Sequence, residues 1–138
     1  MTREDRNIIA LAWRKVGEDA LEAAYGLFKN GHYRSCASRS YYAAYAFLAE
    51  ALVTKPSVSF QEDREGPEHK PLPELIEAHL KRELSRGSRR QIRADIRTLY
   101  SHRLNADYQP RRSVRKEIAL EALQKATIIA ENVRRIRG

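Results

Sequence analysis

The stretch Leu99-Tyr-Ser-His-Arg-Leu-Asn-Ala-Asp-Tyr108 closes a pattern in which Ile92, Ile96 and Leu99 recur at spacings of four and three. Those spacings put the three side chains on one face of a helix, and the next position on that face is Arg103. A guanidinium where the stripe calls for an apolar group is costly unless it is paired or faces a wet cleft. Asp107, one turn on, offers a partner, and Tyr108 offers a wall. The stretch is therefore either a structural ion pair or an anion site.

Working outward, the helix with this stripe is expected from Arg89 to about Asn105, with Ser88-Arg-Arg-Gln91 as its capping box and Gly87 ending the element before it. That element, about Pro71 to Leu84, uses Leu72, Leu75, Ile76 and Leu80. Periodicity is lost from Thr54 to Lys70, where Pro56, Gly66 and Pro67 fall, so a long flexible loop is expected at about 54–70. Upstream, Tyr41, Tyr45, Leu48 and Leu52 repeat at helical spacing and predict a helix from about Tyr33 to Val53. Core packing explains that aromatic stripe without a ligand. The first helix is expected to start near Thr2, with Asp5 completing a capping box, and to end at Asn30-Gly31. Its inward face reads Ile9, Trp13, Val16, Ala20, Ala24 and Leu27. So short a connection to the second helix implies an antiparallel pair. Ser113 is expected to cap a last helix to about Ile136, with Ile118, Ala122, Ile129, Val133 and Ile136 inward. The expected fold is all-α: one domain over 1–138, an up-and-down four-helix bundle with an additional short helix.

Composition agrees with helices. Only 6 Gly and 5 Pro occur in 138 residues, against 42% hydrophobic and 32% charged residues. A single cysteine, Cys36, excludes an internal disulfide framework and fits a reducing compartment. No run is long and apolar enough for a membrane span, and the first residues do not read as a signal peptide, so a cytoplasmic location is expected. The formal charge of +8 is one-sided: residues 1–70 hold 10 Lys/Arg and 10 Asp/Glu, whereas residues 71–138 hold 16 and 8. Such a field attracts phosphates or acidic partners, or simply keeps a face solvated.

The dispersed histidines 32, 69, 79 and 102 lack metal-ligand spacing, and neither a phosphate-binding glycine loop nor a nucleophile elbow is present. No metal or cofactor is expected, and Cys36 reads as a packed thiol. Arg89, Arg93 and Arg97 form a basic row beside the apolar stripe, and Arg111 and Arg112 follow in the next connection. These five are the candidate nucleic-acid contacts. An arginine fork suits a phosphate, and a nearby tyrosine can stack on a base. Cutting RNA without a metal also needs a group to move protons beside the arginine that stabilises charge. Arg103, Asp107, Tyr108 and His102 are the candidates for that work.

Taken together, Ser38-Arg-Ser-Tyr-Tyr-Ala-Ala-Tyr-Ala-Phe47, His69, the Leu99–Tyr108 stretch and the Ala-rich final helix resemble the HEPN domains. The likeness is closest to small prokaryotic members that often stand beside a minimal nucleotidyltransferase. It implies a helical bundle that binds RNA or nucleotide, often as a homodimer. It also implies a toxin–antitoxin pairing in which the nucleotidyltransferase attaches AMP to a tyrosine near the motif. Nuclease members carry Arg, four to six residues, then His. Here Arg103 matches the arginine, but Tyr108 stands where the histidine belongs, and Leu104 replaces the polar residue after the arginine. The resemblance makes Tyr108 the candidate AMP acceptor, although the usual acceptor position, two residues further on, holds Pro110. His102 precedes Arg103 and points about 100° away from it on an ideal helix. The expected activity is RNA binding with metal-independent endoribonuclease chemistry. The alternatives are a non-catalytic module binding nucleotide, RNA or a nucleotidyltransferase, and a helical dimer in which Arg103–Asp107 is structural.

Overall fold

Five helices account for the regular structure in the computed structural model, which describes residues 1–60 and 63–137. They are α1 (Arg3–Lys29), α2 (Tyr33–Val53), α3 (Leu72–His79), α4 (Arg86–Tyr108) and α5 (Lys116–Arg137). The four long helices form the bundle and α3 is the additional short one. The fold is all-helical as expected.

The first two helices start and stop where their end signals stand. Thr2 Oγ1 accepts from the Asp5 amide at 3.0 Å, and Asp5 Oδ2 accepts from the Thr2 amide at 2.9 Å. Gly31, at φ +78°, supplies the left-handed residue that lets α2 fold back on α1. Helix α2 runs through the middle and packs against each of the other four. Its Tyr41, Phe47, Leu48 and Leu52 are fully buried, and each such side chain contributes roughly 1.5–3 kcal/mol. Ala37, Ala43, Ala44, Ala46 and Ala49 let the neighbouring helices approach closely. Ile92, Ile96 and Leu99 of α4 and Ala122, Ala126, Ile129 and Val133 of α5 complete the core.

Several expectations need correction. Helix α3 stops at His79, because Leu80 leaves helical geometry at φ −114°, ψ 26°. Ser85, not Ser88, caps α4: its Oγ accepts from the Ser88 amide at 3.1 Å. Gly87 therefore lies in the first turn of α4 instead of ending α3. Helix α4 continues to Tyr108, so Asp107 and Tyr108 belong to its last turn. Helix α5 begins at Lys116, beyond the expected Ser113 cap. Val16 of α1 faces solvent, while Gly17 packs inward against Phe47.

The loop expected at 54–70 has no helix or strand among its described residues; positions 61 and 62 lie outside them. Its second half is pinned by three aromatic side chains at alternate positions. Trp13 Nε1 donates to Glu65 O at 2.9 Å, and Tyr45 Oη donates to Pro67 O at 2.5 Å. Tyr41 Oη bonds His69 Nδ1 at 2.5 Å. Tyr41 and Tyr45 stand one turn apart on α2, matching the two-residue step of an extended chain. Two arginines tie helix C-termini: Arg6 donates to the carbonyls of Val53, Lys55 and Val58, and Arg34 donates to those of Asn105 and Ala106. No described helix is long and apolar enough to cross a membrane.

Candidate nucleic-acid cleft between α2 and α4

Because α4 extends through Tyr108, its last turn lies across the first half of α2 and encloses a cleft of about 580 Å³. Arg34, Ser35, Ser38, Arg39 and Tyr42 line one side, and Arg103, Ala106, Asp107 and Tyr108 the other. Arg34 holds the second wall in place. Its Nη1 donates to Ala106 O at 2.6 Å and Asn105 O at 3.2 Å, and its Nη2 reaches Arg112 O. The Asn105 and Ala106 carbonyls carry the negative end of the α4 dipole, where a cation is favoured.

Arg103 sits at the floor of the cleft with its side chain 15% exposed. Its guanidinium carbon lies 5.2 Å from the ring centre of Tyr42, 5.5 Å from Tyr108 and 5.8 Å from Tyr41. Nη2 donates to Tyr42 Oη at 2.9 Å. Nε lies 3.2 Å from Asp107 Oδ2, and Ser38 Oγ donates to that same oxygen at 3.1 Å. Burial alone would pull the Arg103 pKa down; Tyr42, Tyr108 and Asp107 outweigh it and hold the value above the ordinary one. The charge on Arg103 is permanent.

Behind Arg103 the aromatic packing continues. The ring of Tyr41 lies 5.8 Å from Tyr42 and 5.4 Å from Tyr100, and Tyr45 stacks on His69 at 4.2 Å. Burial raises the pKa of both buried phenols, that of Tyr45 to about 12, so both are hydrogen-bond donors. The pKa of His69 is lowered by burial and by the charges of Arg103 and Arg64. Both causes favour the neutral imidazole opposite the Tyr41 hydroxyl.

Arg103, Asp107 and Tyr108 thus share one site, and Tyr108 is 66% exposed at its mouth. His102 is elsewhere: its Nε2 pairs with Glu121 of α5 at 2.7 Å. The basic row is largely neutralised by α3. Arg89 is buried and donates to Glu77 at 3.1 Å and to Leu84 O at 2.7 Å. Arg93 also meets Glu77, at 3.4 Å, and Arg97 meets Glu74 at 3.9 Å. Arg111 and Arg112 are exposed in the connection after α4, without a carboxylate partner among the described residues, and the Arg112 carbonyl accepts from Arg34. Sequence reasoning missed Arg34, Arg39 and Tyr42 as cleft residues. Arg39 is exposed and has no carboxylate partner among the described residues. The signal that could have found it is the i, i+4 spacing of Ser35 and Arg39 with Ser38 and Tyr42, two polar pairs on one face of an otherwise buried helix. Cys36 is the packed thiol expected, fully buried and with its pKa raised by burial.

These features define an all-helical protein with one arginine–tyrosine cleft beside exposed basic side chains. The HEPN domain family matches residues 10–136, and the chain belongs to it. No curated protein matches the chain.

Proposed function

We propose that the protein binds single-stranded RNA in the α2–α4 cleft, with a backbone phosphate at Arg103 and Arg39 and flanking bases on Tyr42 and Tyr108. The observation that carries this reading is the packing of Tyr41, Tyr42 and Tyr108 around the Arg103 guanidinium. A fixed cation supplies affinity for the phosphate, and the half-buried Tyr42 and exposed Tyr108 rings supply sequence-tolerant stacking. Arg111 and Arg112 extend the basic surface from the mouth of the cleft. Arg89, Arg93 and Arg97 act indirectly, by holding α3 against α4.

Cleavage at the bound phosphate is the second reading, favoured by Asp107, whose carboxylate stands in the cleft beside Arg103. An ionised carboxylate there can accept a 2′-hydroxyl proton while Arg103 stabilises charge on phosphorus. The wider proposal is a homodimeric toxin, acting in the cytoplasm and paired with a minimal nucleotidyltransferase. The exposed Tyr108 phenol takes AMP from ATP in that pairing, with pyrophosphate leaving. Modification there would fill the mouth of the cleft and block RNA.

Fluorescence anisotropy with a labelled single-stranded RNA in EDTA tests the binding, and gel analysis of the same mixture tests cleavage. Arg103→Ala is expected to weaken binding at least tenfold. Equal affinity for the wild type and a folded Arg103→Ala protein would reject the cleft as the RNA site.

A further inference from the structure

The place beside Arg103 that a phosphate oxygen would take is already held by the protein's own carboxylate, and it is held imperfectly. Asp107 Oδ2 is 3.2 Å from Arg103 Nε, yet Nε forms no aligned hydrogen bond and is buried. It is one of three such unsatisfied buried side-chain atoms among the described residues, with Glu83 Oε1 and Arg93 Nε. A buried donor without an acceptor is costly, so an oxygen placed in line with Nε gains what Asp107 leaves unused. The carboxylate is also badly sited within its own helix. Asp107 lies in the last turn of α4, where the dipole disfavours an anion and where that turn holds no basic residue of its own. Among the described residues, only Arg103 and the Ser38 hydroxyl hold it there.

We propose that Asp107 is the specificity-determining residue of the cleft, a built-in carboxylate that occupies the anion position of Arg103 until a phosphate group displaces it. The inference rests on the RNA reading above. A phosphate brings several oxygens and reaches Nε in line, so it replaces the carboxylate; a ligand without an anionic group cannot. When Asp107 swings out, the Ser38 hydroxyl is released and donates to the incoming phosphate. The exposed Arg39 guanidinium offsets the added charge.

The test is a double-mutant cycle on binding of a labelled single-stranded RNA hexamer, with helicity confirmed by circular dichroism. The proteins are the wild type, Asp107→Asn, Asp107→Ala, Arg103→Ala and Arg103→Ala combined with Asp107→Asn. Both Asp107 variants are expected to bind about three- to tenfold more tightly than the wild type, with inorganic phosphate competing more effectively. The gain is expected to vanish in the Arg103→Ala background. A gain of the same size without Arg103 would reflect general charge and overturn the inference. Unchanged or weaker binding by folded Asp107 variants would also overturn it, while loss of binding in Arg103→Ala keeps the RNA reading intact. Absence of binding in every protein defeats both.

Discussion

Tyr41 Oη lies 2.5 Å from His69 Nδ1, so the segment ahead of α3 and the ring beneath Arg103 share one hydrogen bond. The groups facing His69 are Tyr41 and Tyr45 of α2, Arg103 of α4 and Arg64 of its own segment. Burial and the two arginines depress its folded pKa below the ordinary histidine value. The contribution is therefore fully present above the unfolded pKa of about 6.5 and is lost as pH falls below it toward the folded pKa. Thermal melts between pH 8 and pH 5 are expected to show stability falling on the acid side. His69→Gln should flatten that acid limb; an unchanged limb would place the titrating group elsewhere.

Arg34 is expected to matter for the cleft without touching the ligand through its bonded edges. Arg34→Ala removes donors from the partly buried Asn105 O and Ala106 O and from the exposed Arg112 O, and loss of the two partly buried bonds costs about 1–3 kcal/mol. Urea unfolding should register that loss. Amide exchange should locate it in the last turn of α4 and the connection to α5, with the core of α2 unchanged.

Two glycine replacements should act with opposite sign. A Cβ on Gly66 would lie 2.9 Å from Trp13 Cζ2, while Trp13 is held by its bond to Glu65 O. Gly66→Ala is expected to lower stability by about 1–3 kcal/mol through overpacking. Gly26, inside α1, has nothing within 4 Å of an added Cβ, so Gly26→Ala should raise stability by about 0.5–1 kcal/mol. Melting temperatures of the two variants, compared with the wild type, check both signs.

Much of the bundle was legible because its signals are local. The Thr2–Asp5 box, the Asn30-Gly31 stop and the stripe through Tyr41, Tyr45, Leu48 and Leu52 each act within a turn or two, and the helices obey them. The α3–α4 boundary was misread because Ser85 and Ser88 are both sound caps, and only the path of the chain after Leu80 chooses between them. In the site, the Arg103–Asp107 relationship is an i, i+4 pair and was readable in advance. The fate of Arg89, Arg93 and Arg97 was not, because it depends on where α3 sets down Glu74 and Glu77. The grip of Arg34 on the end of α4 spans about seventy residues of chain and leaves no periodic trace.

The segment from Glu65 to His69 has a consequence for protein engineering. Two of its three anchors end on main-chain carbonyls, those of Glu65 and Pro67, and the donors belong to α1 and α2. Its path is thus set largely by the helices, its own lettering mattering at Glu65, which takes a left-handed φ of 54°, and at Gly66 and His69. An exposed position such as Glu68, which lies between two anchors, can be rewritten while the bundle holds the strip in place like a rail.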